Sequence, residues 1–203
     1  MSRITVGLVD YGVGNHASVG HALHDAGFRV RVAADAQGLD ACDVLLLPGV
    51  GAFPAAMARL RETGLDVYLC AAAQAGRPLL GICLGMQLLA QESFELGKTR
   101  GLGILPGKVV PLGEAPWHIG WNVLESVGGD PAFEASHGES FYFNHSFMLV
   151  DADDCVSGWA RLTQPITAAV RAGRVAGLQF HPEKSQRAGM RLLRTLITEL
   201  AHA

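Results

Sequence analysis

The stretch that decides the fold is Pro78-Leu79-Leu80-Gly81-Ile82-Cys83-Leu84-Gly85-Met86-Gln87-Leu88-Leu89-Ala90. Pro78–Cys83 is a short apolar run without polar alternation, the pattern of a strand buried on both faces. From Leu84 to about Glu92 the composition turns helical. A strand therefore passes into a helix through one tight turn, and Cys83 sits at its apex between Gly81 and Gly85. This is the context of a nucleophile elbow, G-x-S-x-G, with cysteine in place of serine. The glycines allow close backbone approach. The helix N-terminus supplies partial positive charge that favours a thiolate, and unpaired N–H groups that can face an oxyanion.

Upstream, Ile4–Val9, Phe28–Val32 and Asp43–Leu47 read as further strands. Asn15–Ala26 and Pro54 to about Ala75 read as helices, the second with a possible break at Gly64. This alternation predicts a mostly parallel central sheet with helices on both faces. From Gly101 to Gly173 glycines and short β-like runs take over. Lys108–Val110, Trp121–Leu124, Phe141–Val150 and Ile166–Val170 are expected as antiparallel additions. Val175–Phe180 is another buried strand, and Arg187–Leu200 an amphipathic helix with apolar residues near helical spacing.

Composition limits the alternatives. The 203 residues are 49% hydrophobic and 17% charged, and carry a net charge of −3. That describes a globular chain long enough for one good-sized core, so a single domain over 1–203 is expected. No basic stripe points to nucleic acid. No apolar run approaches the roughly 18 residues of a membrane span, and the start lacks a secretory h-region. A cytoplasmic protein is expected. No two of Cys42, Cys70, Cys83 and Cys155 are spaced as C-x-x-C, which argues against a zinc site. Cys42, Cys70 and Cys155 read as core fillers, and His16, His21 and His24 as a solvated helix surface.

A cysteine nucleophile needs a base, and the base needs an orienting group. Gln179-Phe180-His181-Pro182-Glu183 offers both at a strand end. Proline restrains His181 to extended geometry. Residues two apart in an extended chain project to one side, so Glu183 is expected to hold one ring nitrogen while the other faces Cys83. Pro48-Gly49-Val50-Gly51-Ala52-Phe53 also joins a buried strand to a helix. A backbone N–H here, with that of Leu84, is expected to hold a developing oxyanion; one such donor is typically worth about 2.7–4 kcal/mol. A competing reading comes from Gly12-Val13-Gly14-Asn15-His16-Ala17. It fits G-x-G-x-x-A, with Asp35 about 20 residues on, and mimics a dinucleotide-binding fingerprint. That reading leaves Cys83, His181 and Glu183 without a use. A silent subunit that keeps only the fold is disfavoured by the intact trio.

These segments resemble the class I glutamine amidotransferases, the triad glutaminases. More narrowly the chain is similar to the glutaminase subunits of imidazole glycerol phosphate synthases. The narrower likeness rests on Asp10–Asn15, Pro48–Phe53, Gly120-Trp121-Asn122 and the Lys184-Ser185 that follows His-Pro-Glu. The resemblance implies glutamine as substrate, hydrolysed to glutamate and ammonia through a thioester on Cys83. It implies a (β/α)₈-barrel cyclase as heterodimer partner and no metal or organic cofactor. By the family pattern Gly51, Gln87, Ser146 and Phe147 hold glutamine, while Asn15, Trp121, Asn122 and Lys184 lie toward the partner. Two residues depart from that pattern: Phe147 stands where tyrosine is usual, and Asn144 where valine is usual. A pyridoxal phosphate synthase glutaminase is the runner-up, but its usual Pro-Gly-Gly-Glu-Ser loop does not match Pro48–Ala52. Anthranilate-type glutaminases usually carry Gly-His-Gln where this chain has Gly85-Met86-Gln87.

Overall fold

A computed structural model describes residues 3–113 and 116–203. The first half runs β1 (Thr5–Val9), α1 (His16–Asp25), β2 (Arg29–Ala33), α2 (Ala36–Asp40), β3 (Val44–Leu47), α3 (Phe53–Thr63), α4 (Leu65–Gln74), β4 (Leu79–Ile82) and α5 (Leu84–Leu88). The second half continues with β5 (Glu92–Ser93), β6 (Thr99–Arg100), β7 (Lys108–Pro111), β8 (His118–Val123), β9 (Glu125–Ser126), α6 (Pro131–Glu134), β10 (Ser140–His145) and β11 (Phe147–Val150). It ends with β12 (Val156–Arg161), β13 (Pro165–Ala172), β14 (Val175–Leu178) and α7 (Gln186–His202).

The main sheet has the order β2-β1-β3-β4-β14-β13-β12-β9. Strands β2, β1, β3, β4 and β14 are mutually parallel, and β13, β12 and β9 add on antiparallel. Strand β3 shows why the inner strands lack polar alternation. Val44 and Leu46 face a core shared with Leu23 of α1 and Leu193 and Ile197 of α7. Leu45 and Leu47 face the opposite core, with Phe53, Met57 and Leu60 of α3. Both faces are covered, so every residue of the strand is apolar. Among the parallel strands β2, at the edge, keeps exposed arginines.

The expected parallel sheet with antiparallel additions is what forms. The long helix after Pro54 breaks at Gly64, whose φ of 70° closes α3 and opens α4. Three expectations shift. The helix after Cys83 stops at Leu88, because Glu92–Ser93 leaves to pair with β6 and β7. The run Phe141–Val150 is two strands: β10 pairs with β8, while β11 joins β7 in a separate sheet, and Ser146 is the crossover. Strand β12 (VSGWAR) was not anticipated from the sequence. Its pairing with β13 shifts register on both sides of Gly158, and such a bulge spoils the two-residue period. Among the described residues no helix is long and apolar enough to cross a membrane.

Candidate active site

Cys83 lies between β4 and α5 with φ 55° and ψ −114°, a conformation costly for a residue with a side chain. Neighbouring glycines make it possible. A Cβ on Gly85 would fall 1.9 Å from the Leu47 carbonyl oxygen, and one on Gly81 would fall 2.7 Å from the Gly85 oxygen. The elbow is thus pressed between its own strand and the end of β3. As the first residue of α5, Leu84 has no intrahelical acceptor for its N–H.

His181 follows β14 and is fixed through its backbone. Its N–H donates to the Tyr142 carbonyl at 2.8 Å, and its own carbonyl accepts from Ser185 Oγ at 2.6 Å. Ser185 Oγ in turn accepts from the Tyr142 N–H at 2.9 Å. His181 Nδ1 and Glu183 Oε1 are 2.8 Å apart, both side chains nearly without solvent contact. The route to this pairing differs from the expected one. His181 is extended, but Pro182–Lys184 forms a turn of 3-10 helix, and that turn brings the carboxylate back under the ring. Burial pulls the imidazole down, yet the neighbouring Cys83 and Glu183 outweigh it and raise His181 from its ordinary 6.5 to about 9. Glu183 Oε2 is buried and has no partner among the described residues.

Cys83 and His181 open into a cavity of about 310 Å³. The expected oxyanion residues Val50 and Leu84 line it, as do the expected substrate residues Gly51, Gln87, Ser146 and Phe147. The β3–α3 loop is wedged at its root, where a Cβ on Gly49 would meet Gly85 N at 2.7 Å. Its tip is open: Val50 is 40% exposed, and Gly51, at φ 92°, has nothing within 4 Å of a Cβ. Tyr11 Oη donates to the Pro48 carbonyl at 2.9 Å from a fully buried position. Burial, and then the charge of Cys83, push that phenol far above its ordinary value. Helix α3 has no side-chain cap of its own; Glu95 supplies one from across the cavity, accepting from the Phe53 N–H at 2.8 Å.

Sequence reasoning left several of these residues without a role. Gln179 is wholly buried, accepts from Gln87 Nε2 at 2.9 Å and places its own Nε2 3.9 Å from Cys83 Sγ. Only its position beside His181 hinted at the site. His118, His145, Tyr11 and Glu95 carried no spacing signal, since their partners are distant in sequence. The glycine loop of the dinucleotide reading has another use. Gly14 packs on Pro48, where a Cβ would lie 3.2 Å from the proline Cγ, and Asp35 is occupied capping α2. His21 and His24 are exposed as expected, but His16 turns inward to the Val9 carbonyl at 3.2 Å. Cys42 and Cys155 are buried and Cys70 half-buried, and burial raises all three thiols.

The four residues expected at a partner face are not arranged alike. Trp121 is 51% exposed and meets Tyr142 edge-on at 6.1 Å; Lys184 Nζ lies 5.8 Å from the same ring. Exposed Ile119 and Val123 flank Trp121 two residues before and after it along β8. Asn122 alternates to the other side of the strand, where its Nδ2 donates to the Arg161 carbonyl at 2.7 Å. The Asn15 side chain caps α1, accepting from the Ser18 N–H at 3.2 Å.

A strained cysteine at a strand–helix elbow, a buried histidine locked to a carboxylate, and two helix-entry turns meeting beside them define a triad-type thiol hydrolase. The profile of the family "Glutamine amidotransferase class-I" matches residues 7–200, and the chain belongs to that family. It is 44% identical over 191 residues to the imidazole glycerol phosphate synthase subunit HisH of Exiguobacterium sibiricum, covering 93% of this chain and 92% of that one. It is 40% identical over 194 residues to the subunit of the same name from Methanothermobacter thermautotrophicus, covering 95% and 97%. Among solved structures, the fold matches that of a glutamine amidotransferase with a TM-score of 0.77 at 24% identity, covering 98% of this chain and 99% of that one.

Proposed function

We propose that this chain is the glutaminase subunit of an imidazole glycerol phosphate synthase, acting in histidine biosynthesis. It hydrolyses glutamine to glutamate and ammonia and passes the ammonia to a separate cyclase subunit. The partner is a (β/α)₈ barrel, in a cytoplasmic heterodimer. The observation that carries the chemistry is the Cys83–His181–Glu183 constellation opening on a cavity walled by two helix-entry turns. The relatives' shared name carries the pathway.

In this reading the Cys83 proton already rests on His181 when sulfur attacks the side-chain amide carbon of glutamine. The N–H groups of Val50 and Leu84 stabilise the tetrahedral oxyanion. His181 then gives its proton to the departing ammonia. A water activated by the same ring hydrolyses the thioester through a second oxyanion, releasing glutamate and regenerating Cys83 with its proton back on His181. Glu183 orients the ring and stabilises the imidazolium. Gln87 and the Ser146–Phe147 backbone hold the substrate, and the exposed face around Trp121 and Lys184 meets the cyclase.

The test is glutamate release from glutamine by the unsubstituted chain and Cys83→Ala, alone and with the candidate cyclase and its nucleotide ligand. Turnover stimulated by both additions, and lost in Cys83→Ala, is the expected result. Glu183→Gln should retain more activity than Cys83→Ala or His181→Ala. Partner-independent turnover would keep the glutaminase and remove the pathway. A folded chain without turnover under any condition would remove the reading altogether.

A further inference from the structure

In the wall of the same cavity, two histidines form a buried pair that the mechanism above does not use. His145 ends β10 and His118 begins β8, and the two are directly paired across those strands. Both are buried, at 8% and 5% exposure. His145 Nδ1 lies 2.8 Å from the Phe147 carbonyl oxygen, and His145 Nε2 lies 3.0 Å from His118 Nδ1. His118 Nε2 lies 3.2 Å from Asn122 Nδ2. The His118 ring also stacks on Phe143, with centroids 4.5 Å apart.

These contacts fix where the protons are. A carbonyl oxygen only accepts, so His145 Nδ1 carries a proton. A neutral imidazole has one donor and one acceptor nitrogen, so His145 Nε2 accepts, and His118 Nδ1 carries the proton between the rings. His118 Nε2 is then an acceptor, and it faces the Asn122 amide, a donor. One assignment satisfies every link: Asn122 to His118, His118 to His145, His145 to the Phe147 carbonyl. A proton added to either ring sets two donors against each other. Burial keeps both rings below the usual histidine range. For His145 the value falls to about 4, with the Phe147 hydrogen bond opposing and the charges of His118 and His181 adding to the effect.

The end of this chain of bonds lies in the cavity wall. The Phe147 carbonyl accepts from Gln87 Nε2 at 2.9 Å as well as from His145. The neighbouring Ser146 carbonyl accepts from the Leu112 N–H at 3.1 Å. Both carbonyls of the crossover between β10 and β11 are thereby committed. We infer that His118 and His145 are positioning residues of the glutamine pocket, a directionally ordered imidazole pair that sets the Phe147 peptide and the Gln87 amide. The inference rests on the glutaminase reading, because that reading makes Gln87 and Ser146–Phe147 the substrate wall.

Two measurements test it. In ¹⁵N-detected imidazole spectra of the chain at neutral pH, both rings should show a protonated Nδ1 and a bare Nε2. An Nε2–H tautomer or an imidazolium at either ring overturns the assignment whatever the enzyme does. In steady-state assays with the cyclase complex, His145→Leu should raise KM for glutamine about tenfold with little change in kcat, since one lost hydrogen bond changes binding by about that factor. His145→Asn places an amide N–H where Nδ1–H stood and should recover most of the KM; His118→Asn should likewise outperform His118→Leu. An unchanged KM in His145→Leu, or asparagine performing no better than leucine, overturns the positioning role. Failure of the unsubstituted complex to hydrolyse glutamine at all would overturn the glutaminase reading and this inference with it.

Discussion

Strands β3 and β4 lie side by side in the sheet, and each ends in a glycine-bearing turn into a helix, yet the two turns are built differently. The β4 turn is clamped. Gly85 is pressed so close to the Leu47 carbonyl that no Cβ fits, and Cys83 is forced to positive φ. The β3 turn is clamped only at its root, where Gly49 sits against Gly85 and Tyr11 holds Pro48. Its tip at Val50 and Gly51 stands free. A nucleophile has to be in one place, because misplacing the attacking atom is costly. An oxyanion donor has to be correct only while the tetrahedral intermediate exists. In the proposed mechanism the neighbouring turns would divide these tasks between a rigid element and one with room to reorient.

The comparison breaks most sharply at Gly85. Gly85→Ala drives a methyl group into the Leu47 carbonyl. It should lower unfolding free energy by about 4 kcal/mol, at the exceptional end for a point substitution, and remove turnover with it. Urea unfolding read by tryptophan fluorescence checks the first and glutamate release the second; wild-type stability would mean that the elbow is not clamped. At the free tip, Val50→Pro removes one N–H from an exposed residue. Turnover should fall by roughly 10²–10³-fold, the usual effect of one oxyanion donor, while the unfolding midpoint barely moves. Equal losses of stability in the two variants would erase the distinction between the turns.

The sequence already contained the clamped turn and only half of the open one. Gly81-Ile82-Cys83-Leu84-Gly85 was readable because its chemistry is local: strand, nucleophile and helix start lie within a few residues. His181 and Glu183 were equally local, although a 3-10 turn rather than an extended strand makes their contact. What holds the β3 turn was not readable. Tyr11 and Glu95 come from 37 and 42 residues away from the groups they bind, and Gln179, which bonds Gln87 beside the clamped turn, comes from 92 residues away. No period or spacing encodes such distances. The same holds for β12, whose bulge hides its alternation, and for the switch of sheets at Ser146, where one apolar run serves two sheets.

The pH dependence of stability probes the rigid side of the comparison. The folded chain binds the His181 proton more tightly than the unfolded chain, about 9 against 6.5. The resulting stabilisation is complete below pH 6.5 and is lost as the pH rises through about 9. Unfolding free energy measured across that window should therefore fall more steeply for the unsubstituted chain than for His181→Gln. Parallel curves would mean that Cys83 and Glu183 do not hold a proton on the ring. Glu183→Gln should give an intermediate slope, because it removes one of the two negative charges that raise His181.

The smallest effect belongs to Tyr11→Phe, and it discriminates most finely. The substitution keeps the buried ring and deletes only the O–H that holds the Pro48 carbonyl. It leaves that buried carbonyl without this donor, at a cost of about 1 kcal/mol in global stability. If the root of the β3 turn is what lets its tip move without drifting away from Cys83, loosening the root should also reduce kcat severalfold. KM for glutamine should then change less, since Gln87 and Phe147 are anchored independently of Tyr11. A loss confined to stability would make Tyr11 a core tyrosine that happens to lie under the turn. A loss confined to KM would place it with the substrate wall. Only a fall in kcat joined to a modest fall in stability supports a turn fixed at one end and free at the other.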